Sequence, residues 1–312
     1  ISMKNGKTYT IDSKEAKYAT TRKKWFPGFT IKGGVNYKLN SIYNVYVNVG
    51  YLNVAPKFNN VYNGNQVGNV EFNDANNQLI MSQEIGAGMK LKQLAANLNV
   101  YYTRWSNKPV PTVKGLNDGE IYNVNGVDAG HFGVEADWVY KIFKSLEWEG
   151  TVSVADWKYL NGKVVYVINQ STGQIENTID FSAKGVHLGN AAQMQFSNAL
   201  KVMHRGFYFK PRYTYFGKNY ANFNATDLQG ANKDRESWRL PDYGLLDLSG
   251  GYEFKLQNIK VNLNANVTNA LNTFYISDAT NNQYAPQNFD ANSATVFVGM
   301  GRQFMFGMKL TF

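Results

Sequence analysis

Along the C-terminal end of the chain, Val296, Val298, Met300, Phe304, Phe306, Met308, Leu310 and Phe312 share one side, and Thr295, Gly299, Gly301, Gln303, Lys309 and Thr311 the other. Only Arg302 interrupts the apolar side. Successive side chains of a strand point to opposite faces, so this pattern predicts a ribbon with one oily and one polar face. A helix has no use for it. Ile259, Val261, Leu263, Ala265 and Val267 alternate in the same way with Lys260, Asn262, Asn264, Asn266 and Thr268. So do Leu246, Leu248, Tyr252, Phe254 and Leu256 with Asp247, Ser249, Glu253 and Lys255. Ala192, Met194, Phe196, Leu200 and Val202 form another apolar row, as do Phe132 to Ile142 and Leu146 to Val154 at every second position. Weaker versions occupy about 28–39, 44–54, 83–92, 94–105 and 206–217, the last weakened by Pro211, which suggests an edge or a bulge. The sum is about eleven strands, each long enough for the roughly 9–11 residues of a tilted membrane strand.

Connections fall into two classes. After Leu39, Leu91, Ile142, Val202 and Lys255 the chain turns back at once, whereas after Val54, Trp105, Trp157, Gly217 and Leu271 it wanders. Short turns at one end and long loops at the other is the layout of a transmembrane antiparallel β-barrel. A soluble β-sandwich also alternates, but its loops do not sort by length in this way. The first and last strands run the same way, so they cannot pair antiparallel to close a ring, and further strands upstream are expected.

Composition narrows the choice. The 312 residues carry 32 Lys+Arg against 23 Asp+Glu, with 21 Tyr, 19 Phe, 28 Gly and 7 Pro. No window approaches the roughly 18 apolar residues of a spanning helix, and the aromatic content excludes a disordered chain. The net charge of +9 is spread along the chain rather than gathered in a run, which argues against nucleic acid as a partner. Without cysteine, disulfide and thiolate chemistry are excluded. Residues 1–20 hold no apolar targeting core, and the chain starts with Ile1, so a processed or truncated piece is expected.

Several segments resemble the TonB-dependent outer-membrane receptors and transporters. Leu240-Pro241-Asp242-Tyr243-Gly244-Leu245-Leu246-Asp247 with Gly251-Tyr252-Glu253-Phe254 is similar to the third-from-last strand of that family. Asn266-Val267-Thr268-Asn269-Ala270-Leu271-Asn272-Thr273-Phe274-Tyr275 resembles the penultimate one, and Gly301-Arg302-Gln303-Phe304 through Phe312 the last, with Gly301 where the family usually has proline. Gly50-Tyr51 to Ala55-Pro56-Lys57-Phe58, His131 to Glu135 and His187 to Gln193 look like segments of its nutrient-importing branch. The resemblance implies an all-β fold, with this chain supplying about eleven C-terminal strands of a 22-stranded barrel in the bacterial outer membrane. It also implies a plug and an N-terminal half of the barrel, neither of which matches anything in residues 1–312. Lipid, TonB acting through that plug, the barrel-assembly machinery and, in some relatives, a surface lipoprotein would be its partners. Phe304, Phe306, Met308, Leu310 and Phe312 resemble the signal that the assembly machinery reads.

No catalytic constellation stands out, and no cofactor is implied. His131, His187 and His204 lie far apart in sequence, which does not suggest a metal set. Glu135, Asp137, Glu147 and Glu149 sit on polar strand faces, where Lys141 and other cations can pair with them. Trp138, Tyr140 and Trp148 share the oily register and read as lipid contacts. Trp105, Trp157, Tyr159, Tyr220 and Trp238 fall at the loop ends of strands, where an incoming solute would meet them; flat rings beside amides suit stacking. Packing of the long loops is the competing role for each, and the Asn-rich stretches around 59–77 and 281–292 read equally as polar coil. The function expected is solute import through the outer membrane, with a passive porin, or a soluble carbohydrate-binding sandwich, as the alternatives.

Overall fold

The structure is a computed structural model that describes residues 8–10, 13, 23–62, 75–110, 120–122, 124–169, 175–189, 191–281 and 289–312. In chain order the strands are β1 (Phe29–Lys38), β2 (Tyr43–Val54), β3 (Gln78–Lys90), β4 (Leu94–Val110), β5 (Glu120–Tyr122), β6 (Val124–Phe143), β7 (Leu146–Tyr159) and β8 (Gly162–Asn169). There follow β9 (Ile175–Ser182), β10 (Met194–His204), β11 (Phe207–Gly217), β12 (Tyr243–Leu256), β13 (Ile259–Thr268), β14 (Ile276–Asn281), β15 (Ala294–Val298) and β16 (Gln303–Thr311). Eleven of them form one antiparallel sheet in the order β1-β2-β3-β4-β6-β7-β10-β11-β12-β13-β16. A sandwich would stack two sheets; here each long strand pairs with the next in a single curtain whose outermost members are β1 and β16.

Tight turns set the register at one end. Asn40 accepts from the N–H groups of Ile42 and Tyr43 (2.8 and 2.9 Å), closing the β1–β2 hairpin. Between β10 and β11, Arg205 and Gly206 both adopt positive φ (46° and 85°), the mirror-image turn that matches strand twist. A side chain at Gly206 would collide with the Glu253 carbonyl.

The register carries one apolar face across the whole sheet. Val35 faces Val47, Val47 faces Ile85, Ile85 faces Val100, Val100 faces Val134, and Val134 faces Val154. Val154 leads to Met194, and further along Phe207 opposes Tyr252, Tyr252 opposes Leu263 and Leu263 opposes Met308. Much of this face is left bare by the protein: Ile31 is 66% and Phe306 78% exposed. Leaving such residues in water forfeits about 1.5–3 kcal/mol each, so the face belongs against an apolar medium. Trp138 and Trp148, on the same row, meet edge to face at 5.2 Å. The opposite face is polar. There Glu149 pairs with Lys210 and Arg212, Glu147 with Lys201 (3.9 Å), and Asp137 accepts from Asn97 (3.1 Å). Glu147 thus stands between two cross-strand lysines, Lys141 of β6 and Lys201 of β10, and pairs with the second.

Three expectations are corrected. The C-terminal ribbon does not run unbroken from Thr295. Val296 and Val298 belong to β15, which pairs with β14, and the chain bends over 299–302 before β16. The bend is held from a distance: Asn269, at φ 48°, donates to the carbonyls of Thr273 (2.9 Å) and Met300 (3.2 Å) and takes the Thr273 N–H. Asn272 accepts from the Arg302 N–H (3.0 Å). Alternation alone cannot register such a tether. Pro211 marks neither an edge nor a bulge, for β11 lies inside the sheet with unchanged register; the ladder to β10 merely lapses between Ala199–Arg212 and Val202–Phe209. Finally, the long connections are not plain coil. β5, β8 and β9 make a three-stranded sheet, and β14 with β15 a hairpin.

Candidate functional site: the loop layer and its aromatic wall

The loops condense into a layer with its own core. Val165 and Val167 of β8 and Ile179 and Phe181 of β9 bury with Val127 and Ala129 of β6, Tyr159 at the tip of β7, and Phe223 and Leu228 from the β11–β12 connection. All lie beyond the roughly 9–11 residues nearest the short turns that a tilted strand spends in hydrocarbon. Tyr159 is 6% exposed and stacks edge to face on Phe223 (5.1 Å); burial pushes its phenol up to about 12. Asp227, in a short turn at 225–227, is buried as well, and desolvation raises its carboxyl to about 6.

At the rim of this core the polar face carries an aromatic wall. Trp105 of β4, His131 of β6 and Trp157 of β7 follow one another on adjacent strands, with ring centroids 6.4 and 5.8 Å apart. The Trp105 indole donates to Gln78 Oε1 and that of Trp157 to the Tyr101 hydroxyl, both at 3.1 Å. Gln193, buried, accepts from the Trp157 N–H (2.7 Å) and donates to the carbonyls of Trp157 and Leu188, which locks the strand end. Trp105 and Trp157 are half-buried, each with an edge packed on the loop core. Lys108 stands over the rings of Trp105 (5.6 Å) and Tyr159 (5.4 Å). Burial, and then Lys57 nearby, lower its ammonium below the usual lysine range.

Tyr220 and Trp238 belong to a second knot. Tyr220, 8% exposed, lies flat on His187 at 4.3 Å and 1°. His187 Nδ1 faces Glu236 Oε2 (2.5 Å) and Nε2 faces Asp156 Oδ1 (3.0 Å), while Lys158 pairs with Asp156 (2.9 Å). Trp238 packs on Ala221, Leu240 and Ala279, and its carbonyl takes the Ala221 N–H (2.8 Å). Asp156 is two positions beyond Val154, so this knot continues the apolar row outward rather than the polar face. The five aromatic candidates therefore divide: Trp105, Trp157 and Tyr159 gather on the polar side, Tyr220 and Trp238 elsewhere.

Sequence reading took His131 as an isolated histidine and missed Lys108, Gln78 and Gln193. Only cross-strand register brings these together, and a bulge before Lys108 hides its side from simple alternation. Much of the Asn-rich stretches, 63–74 and 282–288, lies outside the described residues. Among the described residues no three His, Cys, Asp or Glu side chains gather as a metal set.

The comparisons with known proteins agree with this architecture. Residues 4–270 match the family model described as TonB dependent receptor-like, beta-barrel. The chain belongs to that family. Among solved structures it is similar to the ferric-catecholate import receptor Fiu from E. coli K12, at 16% identity, a TM-score of 0.56, and coverage of 89% of this chain and 34% of that one. It is also similar to the FrpB iron transporter from Neisseria meningitidis (15% identity, TM-score 0.59, 89% and 38% covered). BauA, the ferric preacinetobactin receptor from Acinetobacter baumannii, matches with 16% identity, TM-score 0.57 and 89% and 36% coverage. At such identities the likeness is one of fold. A search of curated proteins found no match. The TonB-dependent receptor barrel described here spans little more than a third of the length of these solved receptors.

Proposed function

We propose that this chain is the C-terminal half of the barrel of a TonB-dependent importer in the bacterial outer membrane. The single observation that carries the reading is the apolar face that the register lays across eleven paired strands, opposite a polar face, in a chain whose family model covers most of its length. Open edges at β1 and β16 would leave backbone donors and acceptors unpaired in hydrocarbon, at several kcal/mol each. Upstream strands completing a ring of 22, together with a plug, satisfy them. The loop layer then takes the solute from outside, and TonB, pulling on the plug, lets it pass inward. The loops, not the strands, set which solute that is.

The test uses the full-length gene product. After expression in an outer-membrane host, it should fractionate with the outer membrane, and uptake of its solute should stop when TonB is removed. Uptake independent of TonB, together with steady conductance in planar bilayers, would mark an open pore instead. A product that stays in the soluble fraction would overturn both.

A further inference from the structure

Between Trp105 and Lys108 the β4–β6 register slips by one residue: Trp105 lies opposite Ala129, but Lys108 opposite Val127. Asn107 makes the slip at φ 55°, the left-handed region that Asn tolerates better than most residues. It is clamped there. Its N–H donates to Asp128 Oδ1 (3.2 Å) and its Nδ2 to the Asn77 carbonyl (3.0 Å), and Asp128 is itself held by Arg104 (2.8 Å). Strict alternation from Trp105 would send Lys108 outward, to the side of Arg104. The bulge turns it inward instead, which is what bulges do near binding sites.

An ammonium in that place lacks a counter-charge. Its two ring contacts are weaker partners than a carboxylate, and among the described residues no carboxylate lies within ion-pair distance of it. The exposed Lys57 adds positive charge nearby. Close to it, His131 Nδ1 is buried with no hydrogen-bond partner among the described residues, although a ring nitrogen can donate or accept according to its proton. Both gaps stand against flat indole faces. Desolvated polar atoms without a partner are costly unless a ligand completes them.

We propose that Lys108, His131, Trp105 and Trp157 form a subsite for the negatively charged end of the solute, a carboxylate or phosphate borne on a flat or amphipathic body. The proposal rests on the import reading above, and deepens it by naming the chemistry of the cargo.

Purified full-length receptor in detergent, titrated with benzoate, benzyl phosphate and neutral benzyl alcohol and followed by tryptophan fluorescence and calorimetry, tests it. Both or one of the anions should bind, which tells carboxylate from phosphate, and benzyl alcohol should bind at least tenfold more weakly. Lys108→Gln should cost tenfold or more in affinity, and Lys108→Arg should restore most of it. Asn107→Val, in which a β-branched residue resists the left-handed φ and favours regular alternation, should turn Lys108 outward and abolish binding while the barrel keeps its heat-resistant migration on gels. Equal affinity for the neutral probe, or for Lys108→Gln, overturns the subsite; so does a native receptor that binds neither anion. TonB-dependent uptake with no anion binding sinks the subsite alone. Anion binding without any such uptake sinks the import reading instead.

Discussion

The indole of Trp138 lies over Gly150, its cross-strand partner on β7, so closely that a methyl group at that glycine would meet the six-membered ring. The pair puts a bulky interface aromatic on the apolar row without lifting it off the sheet. Gly150→Ala should therefore push Trp138 aside and lower stability by about 1–3 kcal/mol. Gly33→Ala on β1, where a methyl group meets nothing within 4 Å, is the control. Thermal unfolding of the folded barrel in detergent, read as loss of its fast-migrating gel band, should fall several degrees for the first variant and hardly at all for the second.

Asp227 makes the loop layer sensitive to acidity in an uncommon direction. Its folded pKa of about 6 stands above the value near 3.9 of an unfolded aspartate. A raised carboxyl favours the protonated folded state, so its contribution is complete below about pH 4, is lost as pH climbs to about 6, and is absent above. The size is on the order of 3 kcal/mol. Asp227→Asn keeps an oxygen for the Asn224 N–H (3.4 Å) and removes the charge. Proteolytic nicking of the loops should accelerate from pH 4 to pH 6.5 in the native receptor and stay flat in the variant; matching slopes would count against this account.

Asn269 ties three chain segments together, and Asp247 Oδ1 takes its N–H at 2.9 Å. Asn269→Ala removes the side-chain bonds to the Thr273 and Met300 carbonyls and to the Thr273 N–H, worth about 0.5–1.5 kcal/mol each. Hydrogen exchange should show the stretch 269–302 losing protection, while the β1–β4 hairpins keep theirs.

Phe312 is 91% exposed beyond the end of β16, so nothing in the fold uses it. If it serves as an assembly signal with Phe304, Phe306, Met308 and Leu310, Phe312→Ala should reduce the amount of receptor in the outer membrane severalfold without changing the melting temperature of what does assemble. An unchanged yield would remove that role.

The sheet was legible in the sequence because its physics is periodic. Each strand must show one medium oil and the other polar groups, and that constraint is written at every second residue from Val35 to Met308. What escaped was whatever breaks the period. Asn107 and Asn269 bend the chain through left-handed residues held by distant partners, and Pro211 passes inside the sheet because only one neighbouring ladder lapses. The β5–β8–β9 sheet stayed hidden for another reason: Val165, Val167, Ile179 and Phe181 form an ordinary water-shielded core, in short stretches that look like loop. Trp105 and Trp157 were visible as strand-tip aromatics, but His131 and Lys108 join them only through register.

A wall whose two sides are told apart by odd and even numbering has a peculiar vulnerability at its upper rim. Whether the Ser106–Asn107 step is bulged or regular decides whether the β4 side chains above it point to the interior or the surroundings, while the membrane-embedded part below keeps its numbering. The bulge thus works as a parity switch. A receptor of this design can change what its mouth offers to cargo by one substitution that straightens the bulge, with no rebuilding of the wall that carries it.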